Sequence, residues 1–224
     1  MEDIIRLINV TRIEEGNLGV LDGENLTVSQ GERVTVCGLP GSGKAALMRV
    51  IAGMDKPSAG EVLVLDKAVH NMNEKTAARF RSKYIGVVRQ DNGFIGRMTV
   101  LENVAMPLTL QGVPHQKRMR MVMEQLKNLG VQHIAQARPS QLTAYESRMA
   151  AVARALAAQP KLLLLYEPTD GLSVSDAERA AGMLHAVCRY GNFLVMCFTA
   201  DETSTLCSDR LIRISRGTIQ EDNR

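Results

Sequence analysis

Two short segments of the sequence have the residue types that phosphate chemistry requires. The first, GLPGSGK, covers residues 38–44, and the second, LLLLYEPT, covers residues 162–169. Gly-x-x-x-x-Gly-Lys turns backbone N–H groups inward around an anion, and its lysine reaches the terminal phosphates of a nucleotide. An apolar run that ends in two acids is typical of a buried strand delivering carboxylates to such a site. Here the first acid is replaced by Tyr166, and Glu167 follows it.

The first segment predicts a phosphate-binding loop. Its residues are Gly38, Leu39, Pro40, Gly41, Ser42, Gly43, Lys44, Ala45 and Ala46. The strand candidate RVTVC precedes it and the helical stretch ALMRVIAG follows, a context that separates the motif from an ordinary glycine-rich turn before a helix. The full motif ends in Ser or Thr, whose hydroxyl ligates Mg²⁺. Because Ala45 has no oxygen, we expect the loop to lack its direct protein ligand to the metal.

Short β-rich segments alternate with helical patterns around both motifs, which predicts a layered α/β domain. The strand candidates cover residues 4–10, 33–37, 84–88, 161–165, 192–198 and 210–214. LLLL and LVMCF are apolar without alternation, as expected for central parallel strands covered on both faces. The turn signal Arg216-Gly217 predicts a hairpin at the end of the chain.

The pattern is helical between residues 93 and 158, which predicts a helical lobe within a single domain that spans residues 1–224. One face of QKRMRMVMEQLKNLG has Met119, Val122, Met123, Leu126 and Leu129. Gly130 is the expected stop of this helix. The methionines indicate either a core-facing helix or a soft partner-binding surface. SRMAAVARALA, at 147–157, predicts a second helix.

The composition supports one core and argues against several classes of function. Of the 224 residues, 45% are hydrophobic, which is enough for one sizeable core. The net charge is only +3, with basic and acidic residues mixed along the chain, which argues against nucleic acid as a partner. MEDIIRL lacks the pattern of a signal peptide, and no apolar run reaches the ~20 residues of a membrane span. The four cysteines are scattered without a CxxC pair, so we expect reduced thiols, no metal site and a cytosolic protein.

Further landmarks follow the loop in order along the chain. They are Gln90 after a strand, TVLENVAMPL, PSQLTAYESRMAAVARAL directly before PKLLLLYEPTDGL, and VMCFTAD. Together they resemble the ABC-transporter ATPase family over essentially the whole chain, and look most like the branch that serves lipoprotein-releasing, macrolide-exporting and cell-division-type permeases. The resemblance implies an α/β P-loop NTPase fold: a RecA-like core with a parallel central sheet, an antiparallel β-subdomain and an inserted helical subdomain at about 93–158. A P-loop kinase or GTPase does not explain PSQL…ARAL placed before LLLLYEPT.

The resemblance assigns roles to residues outside the loop. Gln90 matches the glutamine that senses the metal and relays to the membrane subunit. The signature loop, normally Leu-Ser-Gly-Gly, is represented by Leu142, Thr143, Ala144, Tyr145 and Glu146. Tyr145 replaces a glycine whose backbone touches the γ-phosphate across a dimer interface. We therefore expect its Cβ and ring to block that approach or to forbid the required backbone dihedral angles.

The second segment contains one altered and one retained position of the family. Tyr166 stands where the family has the carboxylate that holds the metal's water shell. This substitution is either neutral drift in an unused site or a plug whose phenol occupies the metal's space and bonds a phosphate or Lys44. Glu167 matches the general base, although a lone acid here could also be a helix-start or turn residue.

Three more positions depart from the family pattern. Ala200 stands in place of the switch histidine, and Ser173 in place of the aspartate that closes the D-loop. The aromatic residue that stacks on adenine falls near Ile13 or Glu14, and neither side chain can stack.

These substitutions predict a degenerate nucleotide-binding subunit, with weak or metal-independent binding of ATP or ADP, poorly held Mg²⁺ and an impaired or inactive ATPase. The resemblance implies a membrane permease as partner, a homodimer or a heterodimer with a second ABC ATPase, and a cytoplasmic location at the inner face of the membrane. Two alternatives remain open: a slow but active ATPase that powers a transporter, and a soluble ABC-like scaffold.

Overall fold

The computed structural model describes residues 2–14, 18–201 and 208–223, which form two β-sheets and a set of helices around two hydrophobic cores. The strands are β1 (Asp3–Glu14), β2 (Leu18–Ser29), β3 (Arg33–Cys37), β4 (Ala59–Val64), β5 (Lys67–Ala68), β6 (Ile85–Val88), β7 (Leu162–Tyr166), β8 (Leu194–Thr199), β9 (Arg210–Ser215) and β10 (Thr218–Asn223). The α-helices are α1 (Lys44–Ile51), α2 (Glu74–Tyr84), α3 (Val100–Leu110), α4 (His115–Asn128), α5 (Ala144–Ala157) and α6 (Val174–Tyr190).

The larger sheet explains the unbroken run of leucines in β7. Its strand order is β10-β9-β3-β8-β7-β6, and the strands from β9 to β6 run parallel. Both faces of this sheet are covered: Leu163 and Leu165 pack into the core shared with α3 to α6, whereas Leu162 and Leu164 pack into the core shared with α1 and the smaller sheet. Central parallel strands, predicted from apolar runs without alternation, are therefore confirmed.

The smaller sheet is antiparallel, with strand order β2-β1-β4-β5. It corresponds to the antiparallel β-subdomain that the family resemblance implied. The predicted C-terminal hairpin is also present, since β10 pairs antiparallel with β9. Its two turn residues, Arg216 and Gly217, have φ of 50° and 79°, as a tight hairpin turn of matching twist requires.

The parallel arrangement is what positions the site. Strands β3, β7 and β8 pair in register, so their carboxyl ends lie at the same edge of the sheet. Gly38, Glu167 and Ala200, the residues that follow these three strands, therefore leave the sheet side by side. Two backbone hydrogen bonds fix this edge: the Gly38 N–H donates to the Thr199 carbonyl at 3.1 Å, and the Glu167 N–H donates to the Phe198 carbonyl at 2.8 Å.

Helices α3, α4 and α5 form the predicted helical lobe over the parallel sheet. On α4, Val122, Leu126 and the following Leu129 are buried, and Met119 packs at the edge of the same core. Met123 is 40% exposed, so its assignment to the core face was wrong. Because it follows Val122 directly, its side chain points about 100° around the helix from Val122 and lies at the edge of the buried face of α4.

The end of α4 and the start of α5 lie close to the predicted positions. Gly130 has a left-handed φ of 69° two residues after the last helical residue, which confirms it as the stop. Helix α5 includes the whole predicted 147–157 segment and begins three residues earlier, at Ala144.

The structure confirms only part of what the sequence predicts for the cysteines. Cys37 and Cys197 are buried and form no disulfide, as expected. Burial raises the pKa of Cys197 to about 12, so this thiol stays protonated at neutral pH. Cys188 on α6 is disulfide-bonded, so the expectation of reduced thiols is wrong there, because cysteine spacing alone does not reveal which sulfurs come within bonding distance. Cys207 lies outside the described residues.

The orientation of α4 can be tested by comparing the stability of two alanine variants, one at a buried position and one at a partly exposed position. Leu126→Ala should lower the free energy of unfolding by about 2–5 kcal/mol, because it leaves a cavity in the core. Met123→Ala should change it by less than about 1 kcal/mol, since the residue is 40% exposed and its truncation leaves no enclosed cavity. Urea denaturation followed by circular dichroism compares the two variants, and equal losses would contradict the described orientation of α4.

Candidate functional site

The phosphate loop connects the end of β3 to the start of α1, as predicted. Gly41 and Gly43 have φ of 80° and 103°, in the left-handed region. A Cβ at Gly43 would lie 2.4 Å from the carbonyl oxygen of Val20, so only glycine fits there. The first N–H groups of α1 have no intrahelical acceptor and therefore favour an anion. The Ser42 hydroxyl is buried in the loop without a hydrogen-bond partner among the described residues, and a bound phosphate would satisfy it.

Lys44 is the centre of the site. Its side chain is buried, with the residue only 2% exposed, and its Nζ lies 3.1 Å from Oε1 of Glu167. The other carboxylate oxygen of Glu167 accepts the backbone N–H of Ala200 at 3.2 Å. The Tyr166 ring lies on another side of the lysine, with its centroid 5.8 Å from Nζ, within the range of a cation–π contact. The lysine expected to bind phosphate is thus held by a carboxylate and an aromatic ring.

Glu167 is held in this position by its backbone. Its φ is 45°, a left-handed value that is uncommon for a residue with a Cβ and is often found at functional sites. Its own N–H is bonded to the Phe198 carbonyl, as described above. Helix α6 starts only at Val174, capped by Ser173, so Glu167 is not a helix-start acid. The contact with Lys44 places it in the site.

Beside the loop lies a cavity of about 480 Å³. It is lined by Ala45, Met48, Arg49, Met54, Arg89, Gln90, Asp91 and Tyr166. The sequence therefore identified three residues of one pocket from separate motifs: Ala45, Gln90 and Tyr166. Burial, and then the neighbouring Glu167 carboxylate, raise the pKa of Tyr166 above its ordinary value of 10, so the phenol is neutral at physiological pH.

Two side chains around this cavity offer no anionic oxygen to a magnesium ion. Mg²⁺ requires oxygen ligands in near-octahedral geometry, and Ala45 contributes a methyl group while Tyr166 contributes a neutral phenol. Asp91 is paired with Arg89 at 2.9 Å, and both oxygens of Glu167 are engaged. The amide nitrogen of Gln90 donates to Asp170 at 2.6 Å. Within residues 2–14, 18–201 and 208–223, no group of three or more His, Cys, Asp or Glu side chains could hold a metal.

The signature loop forms the start of α5. Thr143 is its N-cap and forms a reciprocal capping box with Glu146, which also contacts His133 at 2.9 Å. Tyr145 is only 4% exposed and packs in the helical-lobe core, with the Arg179 guanidinium 4.1 Å from its ring. The ring is therefore turned into the lobe, and the expectation that Tyr145 hinders the approach to a γ-phosphate across a dimer interface stays a prediction. Tyr145 shares a helical stripe with Met149, so the helix turns the ring inward.

Two arginines of α5, the buried Arg148 and the half-buried Arg154, were missed by the sequence reasoning. Arg148 donates to the carbonyl oxygens of Arg89, Gln90 and Asp170 at 3.0 to 3.2 Å. Arg154 donates to the carbonyl oxygens of Gly93 and its neighbour Asn92. These side chains fix the segment around Gln90 to the helical lobe. The only sequence signal is two arginines in an otherwise alanine-rich, apolar helix.

Comparison with known families identifies this arrangement. A family model described as ABC transporter matches residues 21–170. The chain belongs to the ABC transporter family. The lipoprotein-releasing system ATP-binding protein LolD of Chromohalobacter salexigens is 34% identical over 99% of this chain and 94% of its own length. An uncharacterized ABC transporter ATP-binding protein of Escherichia coli K12, YbbA, is 33% identical over 93% and 91% of the two chains.

Solved structures agree with the ABC assignment. The ATP-binding cassette MJ0796, in a dimeric post-hydrolysis state bound to ADP and Pi, superposes with a TM-score of 0.90 at 28% identity over 98% of both chains. The fold of cbiO1 from Clostridium perfringens is also similar, with a TM-score of 0.86 at 22% identity. The predicted RecA-like α/β fold is therefore confirmed. None of the helices in the described part of the chain has the length and hydrophobicity needed to span a bilayer.

The remaining positions singled out by the ABC resemblance have local structural roles. Ser173 caps α6 by accepting the N–H of Asp176 at 3.2 Å. Ala200 contributes only its backbone N–H to the site. Ile13 is exposed on β1, and Glu14 is paired with Arg49 at 2.6 Å. No aromatic ring comes from this part of β1.

The capping box predicts a pH-dependent contribution to the stability of α5. The backbone N–H of Thr143, and then His133, hold the pKa of Glu146 below its ordinary value of 4.5. Its stabilising contribution is therefore present above pH 4.5 and is lost as the pH falls through the folded-state pKa. Glu146→Ala should destabilise the protein by about 1 kcal/mol at pH 7 and by clearly less near pH 3.

Urea titrations at the two pH values measure this difference. Glu146→Gln keeps a hydrogen-bonding side chain without the charge and should remove the pH dependence. A loss for Glu146→Ala that is the same at both pH values would contradict the assignment.

Proposed function

We propose that this ABC subunit is a degenerate nucleotide-binding subunit that docks phosphates without a firmly held metal and hydrolyses ATP little or not at all. The observation that carries the proposal is that Ala45 and Tyr166 line the same cavity beside the phosphate loop. These are the two positions at which the loop motif and the family pattern supply oxygens to the metal and its water shell. A methyl group and a neutral phenol replace both.

The energetic consequence is large for catalysis. Phosphoryl transfer depends almost wholly on positioning and on charge neutralisation. A bound metal supplies several kcal/mol of that stabilisation when present, and loss of a single preorganised stabiliser typically costs ~10²–10³ in rate. Ala200 also removes the switch side chain. Such losses are not additive, but together they favour turnover below ordinary detection.

Phosphate binding is supported by the parts that remain. The left-handed glycines, the N-terminus of α1, the unsatisfied Ser42 hydroxyl and Lys44 are the elements of an anion cradle, with Lys44 paired to Glu167. Adenine binding has less support, because Ile13 and Glu14 present no ring and Glu14 is ion-paired with Arg49. We therefore expect weak affinity for ATP or ADP that depends little on Mg²⁺.

The job of such a subunit is structural or regulatory, as the partner of a membrane permease at the inner face of the membrane. The LolD name of the relatives supports a transport setting. A second groove of about 380 Å³ runs between α2, α3 and the segment after Gln90, where Ile95 and Leu110 are exposed. Three of its lining residues, Gly93, Ile95 and Asn103, belong to the Gln90–Val104 region, through which we expect docking onto a permease. Pairing with itself or with a second ABC ATPase fits equally, because both the phosphate-loop half and the signature half are altered.

Titration with nucleotide tests the metal part of the proposal. Isothermal titration calorimetry should give an ATP affinity that changes less than about threefold between excess Mg²⁺ and EDTA. Ala45→Ser/Tyr166→Asp restores a hydroxyl and a carboxylate to the cavity and should make Mg²⁺ tighten ATP binding by at least about tenfold. The matched control Ala45→Ser/Tyr166→Phe restores only one oxygen and should gain less. Tight Mg²⁺-dependent binding by the wild type would contradict the proposal.

A phosphate-release assay tests the catalytic part. Wild type and Glu167→Gln should both release phosphate at the background rate. Activity in the wild type that disappears in Glu167→Gln would favour the slow, active ATPase. Purification from membranes together with a permease would exclude a free scaffold.

A further inference from the structure

The carboxylate of Glu167 is an internal anion on the phosphate-binding lysine. Its Oε1 lies 3.1 Å from Lys44 Nζ, and both side chains are withdrawn from solvent. In a phosphate loop the lysine reaches the β- and γ-phosphates. In this chain, the positive charge of Lys44 is therefore already partly neutralised by the Glu167 carboxylate.

Glu167 is clamped, so it does not move aside without further losses. Its Oε2 accepts the Ala200 N–H, and its backbone N–H is bonded to the Phe198 carbonyl. The Tyr166 ring covers another approach to the lysine. Displacing the carboxylate would leave a mostly buried charge without its partner, which is strongly unfavourable.

The backbone cradle of a phosphate loop accommodates two phosphates. Backbone N–H groups of the glycine-rich turn and of the first turn of α1 cradle the α- and β-phosphates. A third phosphate extends past Lys44 toward Glu167 and brings additional negative charge close to a fixed carboxylate. Ala45 and Tyr166 supply no ligand for a cation that would screen this repulsion. Like charges in contact near a protein surface repel appreciably even after solvent screening.

We infer that the site selects a metal-free nucleoside diphosphate over the corresponding triphosphate. This inference rests on the proposed function, because a firmly held divalent cation would remove the repulsion. The diphosphate occupies the loop with the Lys44–Glu167 pair intact. The triphosphate binds only by breaking that pair or by facing the carboxylate.

Calorimetric titration of the full chain in EDTA tests the selection. ADP should bind at least about tenfold more tightly than ATP. Glu167→Gln removes the negative charge while keeping the shape of the side chain. It should reduce the ratio of ADP affinity to ATP affinity by about tenfold, chiefly because ATP binds more tightly. Glu124→Gln makes the same chemical change on the exposed surface of α4 and should leave the ratio unchanged.

Competition with inorganic polyphosphates provides a second readout that does not depend on a variant folding. Inorganic pyrophosphate should displace a fluorescent ADP analogue at lower concentration than tripolyphosphate does, because the selection comes from the phosphate chain. This inference would be overturned if ATP bound in EDTA as tightly as ADP does, or if tripolyphosphate competed as well as pyrophosphate. Either result would leave the proposed function untouched. Failure of both nucleotides to bind at millimolar concentration would also overturn this inference. Tight Mg²⁺-dependent ATP binding would instead overturn the proposed function.

Discussion

The buried ion pair between Lys44 and Glu167 is the interaction on which the site depends. It exists because β3 and β7 belong to one parallel sheet with β8 between them, so that the loop lysine and the acid after β7 leave the same edge. Removing either partner would leave an uncompensated charge in a largely dry position. The pair therefore holds the loop lysine and the acid in place without requiring a ligand, and a phosphate that extended past the lysine would meet a carboxylate.

Around this pair, the backbone features of a phosphate loop are retained, whereas two side chains that carry oxygens in the family are replaced. The parts that depend on backbone remain: left-handed glycines, a free helix N-terminus, and the hydrogen bonds of Arg148 that fix the Gln90 segment to α5. The parts that depend on particular side-chain oxygens are altered at Ala45 and Tyr166. Backbone features also support folding and docking to partners, whereas metal-binding oxygens serve mainly the reaction. A subunit needed for assembly but not for turnover would retain the first set and lose the second.

Much of the fold could be predicted from local patterns in the sequence. The apolar runs of β7 and β8 and the glycine spacing of the loop predict structure directly, because buried parallel strands and left-handed turns restrict residue type locally. Three features could not be predicted in this way. The inward ring of Tyr145 depends on where α5 begins, the exposure of Met123 depends on how α4 is rotated against its neighbours, and the bonds of Arg148 join segments far apart in the chain.

We expect the pocket beside Lys44 to bind phosphate groups without holding a divalent ion through protein oxygens. Electron paramagnetic resonance with Mn²⁺ in place of Mg²⁺ tests this expectation most directly, because a protein-bound ion gives a spectrum distinct from that of Mn²⁺–nucleotide in solution. With saturating ADP or ATP, we expect only the spectrum of Mn²⁺–nucleotide in solution. One protein-bound Mn²⁺ per chain, lost when nucleotide is omitted, would contradict it.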